Sequence, residues 1–267
     1  MGGITAISWT DHTFNPWWGC SRISPACVSC YADAWAKRWG FEIWRRHGPR
    51  RMLSESNWQK PYTWNRQAKQ RGIPEKTFSA SMADVFEDHP EVTGPRQRLF
   101  RMIEETPWLI WQLLTKRIEN VMDMVPWGND WPPNVWLGAS VENQDYGVPL
   151  GEPTGRERIP VLLEIPAKVH FISGEPLLAP VRLPEDDRLD WVITGGESGP
   201  NARRSDPEWF RSLQAQCQAQ GIAFFMKQTG AVLADEWGLK DPKGEDPSEW
   251  PEQWPREFPV TPLPLAA

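Results

Sequence analysis

With 267 residues, 40% of them hydrophobic, the chain can bury one large core, and one domain with a loosely attached tail is expected. A formal net charge of -6 and a pI near 5.4 argue against a wholesale polyanion binder, which would carry excess Lys and Arg, and leave room only for a local basic patch. No apolar run reaches the roughly 20 residues that cross a bilayer and no charged-then-apolar secretory layout opens the chain, so no membrane partner and a cytoplasmic location are expected.

In chain order, a first strand is expected to end near Thr13 to Asn15, followed by a cysteine-bearing loop and a helix over about Val28 to Trp39. Phe41 to Pro74, rich in Arg and Trp without a clear apolar period, reads as an irregular or helical insertion. Short β-rich runs then recur at Thr77–Ser81, Trp108–Leu114, Val135–Ala139, Val169–Ile172, Trp191–Thr194 and Ala223–Met226. Helix patterns separate several of them. Pro95–Glu105 opens on a proline suited to a first turn, Ile118–Met124 is short, and Asp206–Gln220 carries an N-cap Asp206, a Pro207 at the first position and a stop at Gly221. About seven strand–helix units imply a parallel α/β fold, a TIM-like or partial barrel, although a doubly wound sheet would give the same linear pattern. Asp235 to Ala267, dominated by Pro, Glu and Trp, is expected to be an extended tail lying over the body from about residue 235.

Four cysteines in a chain expected to be intracellular are poor disulfide candidates, and three of them crowd into one loop. Cys20, Cys27 and Cys30 form a CxxxxxxCxxC arrangement, so three thiolates can converge from a single polar loop containing Gly19, Ser21, Ser24, Pro25 and Ser29. A [4Fe–4S] cube takes four ligands, and three protein thiolates leave one iron open to an outside ligand. The competing reading is structural zinc, which needs a fourth protein ligand, His12 or His47 being the nearest in sequence. Cys217 falls within the helix pattern, beside Trp209, Phe210 and Leu213, and reads as a core residue.

Polar residues gather just beyond the expected strand ends, the rim where α/β barrels do their chemistry: Asp84, then Thr115 with Lys116 and Arg117, Ser140 with Glu142, Glu175, Glu197, and Lys227 with Gln228. Gly195-Gly196-Glu197 follows a strand, so its glycines would let backbone approach a ligand while Glu197 meets an amine or hydroxyl, with Glu175 a competing candidate. Ser140 and Glu142 are candidates for ribose hydroxyls. Asp84, Lys116, Arg117, Arg203, Arg204 and Lys227 are candidate substrate residues, the cations focusing an anionic substrate. A second cationic and aromatic cluster, Arg45, Arg46, Arg50 and Arg51 with Trp44 and Trp58, lies in the insertion.

The run Ile7-Ser-Trp-Thr-Asp-His-Thr-Phe-Asn-Pro-Trp-Trp-Gly-Cys, the cysteine loop and Cys30-Tyr-Ala resemble the opening of a phage and prophage family of three-cysteine, radical-SAM-like proteins of uncharacterised function. Later blocks are similar to that family as well: Ser81-Met-Ala-Asp-Val-Phe, Leu114-Thr-Lys-Arg, Leu137-Gly-Ala-Ser-Val-Glu, Arg158-Ile-Pro, Gly174-Glu-Pro-Leu-Leu, Gly195-Gly-Glu-Ser-Gly and Phe225-Met-Lys-Gln-Thr-Gly. The resemblance implies a barrel-like fold and a [4Fe–4S] cluster that reductively cleaves S-adenosylmethionine (SAM) to a 5′-deoxyadenosyl radical, with an external electron donor. A glycine–glycine–glutamate triplet in such enzymes meets the methionine amino group, which the resemblance carries to Gly195, Gly196 and Glu197. The six-residue gap between Cys20 and Cys27 departs from the three-residue gap of most radical-SAM enzymes. The expected function is therefore a radical-SAM-like iron–sulfur enzyme acting on a nucleotide or nucleic acid. Its alternatives are a radical enzyme working on a peptide or protein with a partner protein, and a zinc-stabilised nucleic-acid-binding or interaction protein without catalysis.

Overall fold

The computed structural model describes residues 5–144 and 158–260. Nine strands alternate with eight α-helices in these segments. Seven strands form one parallel sheet: β1 (His12–Thr13), β4 (Glu75–Ser79), β5 (Leu109–Thr115), β6 (Val135–Ser140), β7 (Val169–Gly174), β8 (Trp191–Gly195) and β9 (Ala223–Gln228). Their order in the sheet is their order in the chain. That monotonic order decides between the two architectures the sequence allowed. Parallel crossovers are right-handed, so when every connection steps the same way all the helices land on one face and the sheet curls around the other, whereas a doubly wound sheet reverses direction part-way. The fold is an α/β half-barrel of seven parallel strands.

Alternation along the strands sorts the core into two layers. Leu109, Trp111 and Leu113 of β5, Val135, Leu137 and Ala139 of β6, and Phe224 and Met226 of β9 face outward into one cluster. They meet Leu99, Phe100 and Ile103 of α4 (Thr93–Glu105) and Phe210, Leu213 and Cys217 of α7 (Pro207–Gln220). The intervening residues Phe78, Ile110, Trp136, Phe171, Trp191, Ile193 and Phe225 form a separate cluster on the concave face. Gly138 belongs to that inner row, where a Cβ would stand 2.3 Å from the Phe171 ring, so the glycine is what lets the ring cross the concavity. Trp9 lies in the same concavity, its ring centroid 4.6 Å from that of Phe78 and 6.1 Å from that of Trp191. Phe258 closes it from the C-terminal side, 5.3 Å from both Trp191 and Phe225, with the Lys76 ammonium 4.8 Å from its ring centroid. The interior at the strand starts is thus filled by aromatic rings from the two ends of the described chain.

The caps of α7 match the sequence reading: Asp206 accepts from the Glu208 amide, and Gly221 ends the helix at φ 70. The expected helix over 28–39 divides. A 3-10 turn covers Pro25–Ser29, and α1 (Tyr31–Arg38) comes after it, because the Cys30 backbone is extended (φ -60, ψ 116) between the two. Ile118–Met124 likewise divides into a 3-10 turn and the four-residue α5 (Val121–Met124). A helix that the sequence reading did not place, α6 (Arg158–Glu164), packs on the half-barrel through Ile159, Leu162 and Leu163.

Within 41–74 the chain forms β3 (Arg51–Met52), paired antiparallel to β2 (Trp17–Trp18), then α2 (Glu55–Trp58) and α3 (Lys60–Arg71). Trp58 and Trp64 from these helices enter the outer core. From residue 231 the chain forms α8 (Ala231–Glu236) and a 3-10 turn at Pro247–Glu249, then buries Trp250 and Trp254. None of the helices is long and apolar enough to cross a membrane among the described residues.

Candidate metal and cofactor site at the barrel mouth

The cysteine loop leaves β2 and crosses the C-terminal rim of the sheet, the end at which α/β barrels place their sites. Its first part is stitched to the segment after β4: the Gly19 amide donates to the Met82 carbonyl at 3.0 Å, and Asn15 Oδ1 accepts from the Met82 amide at 2.8 Å. Beneath Cys20 lies a buried ionic network. Arg117 Nη1 donates to Asp84 at 3.0 Å and stands 3.5 Å from Cys20 Sγ, while its Nη2 donates to the Ser21 carbonyl and hydroxyl, both at 2.8 Å. Glu87 accepts from the Ser21 amide at 2.7 Å and hydroxyl at 2.6 Å, and from Arg50 Nε at 2.8 Å. Asp84 also accepts from the Thr115 hydroxyl at 2.7 Å and the Lys116 amide at 3.1 Å.

Two further anchors hold the second part of the loop. Glu142, wholly buried, is paired with Lys116 and with Arg158 Nη1 at 3.0 Å, and the Ser24 hydroxyl donates to it at 3.4 Å. Burial acts to raise the Glu142 pKa, but Lys116 and Arg158 outweigh it and hold the carboxyl below its ordinary value. Glu197 accepts from the Arg203 backbone amide and Nε, both at 2.8 Å, and Arg203 Nη1 reaches the Pro25 carbonyl at 3.1 Å.

Among the candidates named from sequence, Glu142 and Glu197 are thus taken up by cations that fix the loop. Asp84 and Arg117 are buried against one another, and Lys116 is spent on Glu142. The glycine pair knits two strand ends: a Cβ on Gly196 would stand 2.1 Å from the Thr229 carbonyl oxygen, so the approach it permits is from the chain itself. Arg204 turns outward to Glu236 at 2.8 Å. In the insertion's cationic cluster Arg50 is buried on Glu87, and Arg51 lies over the Trp18 and Phe41 rings, 4.7 and 4.5 Å from their centroids. Glu175 and Lys227 remain partly open, an ion pair of 3.0 Å above the inner face, with the Ser173 hydroxyl 3.4 Å from Glu175 and the Ser140 side chain nearby on the next strand of that face. Sequence reasoning missed Glu87 and Arg158. Glu87 marks neither a strand end nor a motif position, and Arg158 opens the Arg158-Ile-Pro block with nothing beside it in sequence to show that it pairs with Glu142.

Cys20, Cys27 and Cys30 are free and half-buried, and Cys217 is fully buried in the helix layer, apart from them. Burial raises the Cys20 thiol to about 12, Arg117 opposing that rise and Glu87 and Asp84 adding to it. Cys30 is also raised by burial, opposed by the backbone amides of Asp33 and Ala32 and reinforced by its neighbour Cys27. Three unpaired thiols on one loop suit iron–sulfur ligation in kind and number. Their sulfurs are not gathered about one point: among the described residues no three Cys, His, Asp or Glu side chains are close enough to hold a metal. His12, weighed as a zinc ligand, is stacked on Trp64 at 4.2 Å and bonded to Glu75 at 2.9 Å, at the strand starts and away from the loop.

Residues 4–254 match the model of a family described as "Protein of unknown function (DUF5131)". The chain belongs to this family. No curated protein matches it. Among solved structures it is similar to a single-site mutant of spore photoproduct lyase, at 10% identity and a TM-score of 0.46 over 85% of this chain and 58% of the other. It is also similar to a double mutant of that lyase with bound AdoMet and dinucleoside spore photoproduct, at 12% identity and a TM-score of 0.44 over 97% of this chain and 69% of the other. The chain spans little more than half the length of the first of these structures.

Proposed function

We propose that this family member is a radical-SAM-like iron–sulfur enzyme acting on a nucleotide or nucleic acid. The observation that carries the reading is the cysteine loop itself, which brings three free thiols to the rim of a parallel half-barrel and is pinned there by acid–base anchors on three successive parts of the mouth, two of them buried. Cys20, Cys27 and Cys30 would hold a [4Fe–4S] cluster, leaving one iron for an outside ligand. When bound and reduced by an external electron donor, that cluster supplies the electron that cleaves SAM.

The chain's own part is to bind, orient and exclude water. Glu175 and Lys227 pair at the mouth on the concave face, and a carboxylate beside an ammonium complements the ammonium and carboxylate of an amino acid such as the methionyl end of SAM. Ser173 steadies Glu175. The aromatic filling below, with Trp191 and Phe171 at its centre, closes the concavity from the strand-start side, so a ligand enters from the rim.

The test is anaerobic reconstitution with iron and sulfide, then reduction with SAM present. About four irons per chain and release of 5′-deoxyadenosine support the reading; tightly held zinc with no SAM turnover sinks it and leaves the zinc-stapled, non-catalytic protein. Alanine at Cys20, Cys27 or Cys30 abolishes the brown chromophore, and Cys217→Ala leaves it intact.

A further inference from the structure

The large hydrophobic side chains left in solvent are not scattered evenly. Val28 is 63% exposed, Tyr31 57%, Trp35 46% and Trp39 64%. Val28 lies between Cys27 and Cys30, and Tyr31, Trp35 and Trp39 recur at four-residue spacing along α1 and its C-cap, so an apolar stripe begins just after the cysteine loop and runs down the helix. The opposite face explains why the stripe is outward. Ala32 and Ala36 bury against Ile43 and Met82 in a small satellite core, which fixes the helix rotation and leaves Trp35 and Trp39 in solvent, while Tyr31 is part-exposed with its hydroxyl donating to the Ser81 carbonyl at 2.8 Å. Trp35 and Trp39 stand edge to face, 6.3 Å apart. Single exposed hydrophobics need no explanation, but two exposed tryptophans in ring contact, with a part-exposed tyrosine one turn before them, do.

The surroundings are basic in an otherwise acidic protein. Residues 22–51 hold seven Lys and Arg against two acids, whereas the whole chain is at -6. Arg22 and Lys37 share the single buried carboxylate of Asp33, at 2.5 and 3.1 Å, which leaves one positive charge in excess. Arg45 is paired with Glu42, while Arg38 and Arg46 are exposed and make no ion pair among the described residues. Flat rings with cations beside them match one kind of partner better than any other: bases to stack on the rings and phosphates to meet the cations. A duplex hides its base faces, so the ligand must be unpaired.

We infer that the exposed face of α1, Tyr31, Trp35 and Trp39 with Arg38 on the same helix and Arg46 in the segment that follows it, binds single-stranded nucleic acid and leads it toward the cysteine loop at Val28. This deepens the proposed function by naming the substrate's docking surface, and it rests on that reading only for the chemistry after binding, since the surface itself needs no cluster.

The test is fluorescence anisotropy of labelled oligodeoxythymidine of about 20 nucleotides titrated with the full chain over several salt concentrations, beside a duplex of the same length. The single strand should bind tighter than the duplex. Trp35→Ala with Trp39→Ala should weaken it about tenfold or more, the effect of one lost base stack or larger, while Trp35→Phe with Trp39→Phe keeps most of the affinity. Arg38→Glu with Arg46→Glu should weaken binding and flatten its salt dependence. Equal binding of duplex, or affinity unchanged in the Trp-to-Ala pair, overturns the inference, as does a face that captures an acidic protein and ignores the oligonucleotide. Repeating the titration on Cys27→Ala separates the two readings: binding retained without iron supports the docking surface even if the cluster assignment falls, and binding lost with the fold intact by circular dichroism overturns a surface independent of the cluster.

Discussion

The two ends of the cysteine loop are held in opposite ways. Cys20 sits on a fully buried network in which Asp84, Glu87, Arg50 and Arg117 satisfy one another and grip Ser21. Cys27 and Cys30 follow two single anchors, Ser24 on Glu142 and Arg203 on the Pro25 carbonyl, and then give way to a helix that carries Trp35 and Trp39 in solvent on its outer face. One end is locked to the half-barrel and the other is presented outward. The contrast between the two ends sets the order of effects expected from breaking each part.

The largest effect belongs to the locked end. Glu87→Ala leaves Arg50 buried without its carboxylate and frees the Ser21 amide, and removing one partner of a buried pair costs about 3 to 5 kcal/mol. Urea unfolding should show a loss of that size; a loss under about 1 kcal/mol would mean that the network does not hold the loop.

Glu142→Gln comes next and carries a pH signature. Because Lys116 and Arg158 hold the folded carboxyl below its ordinary value, its contribution is present above the unfolded pKa, about 4.3, and is lost as pH falls through the folded value. The wild type should therefore lose urea resistance on acidification from about pH 5 downward, and the Gln variant should start lower and show a flatter acid limb. Parallel acid limbs in the two proteins would remove Glu142 as the anchor.

Much of this is legible in the sequence alone. Apolar runs of strand length identify six of the seven sheet strands, the strand expected to end near Thr13 to Asn15 matches the seventh, the α7 caps are marked, and the cysteine spacing singles out the loop. What stays hidden is long-range. Glu87 meets Ser21 and Arg50 across 66 and 37 positions, and Arg158 meets Glu142 across 16, with nothing in local periodicity to mark either. The rim carboxylates look like ligands for a bound molecule because they come just after strands, but a carboxylate buried at a strand end first needs a cation of its own, and here Arg158, Arg203 and Arg117 supply it. The direction of winding is equally beyond the linear pattern, since strand order is a property of the sheet and not of any strand.

The smallest effect should come from the presented end, and it sharpens the contrast most. Glu197→Gln weakens a pair whose arginine is partly in solvent, so stability should fall by only about 1 kcal/mol or less. The Arg203 contact to the Pro25 carbonyl is nonetheless what ties the turn before Cys27 to the end of β8. Hydrogen exchange of the 25–31 amides should therefore quicken in Glu197→Gln while those of 19–21 stay as in the wild type; equal acceleration of both groups would show that the loop moves as one body, and the difference between its two ends would disappear.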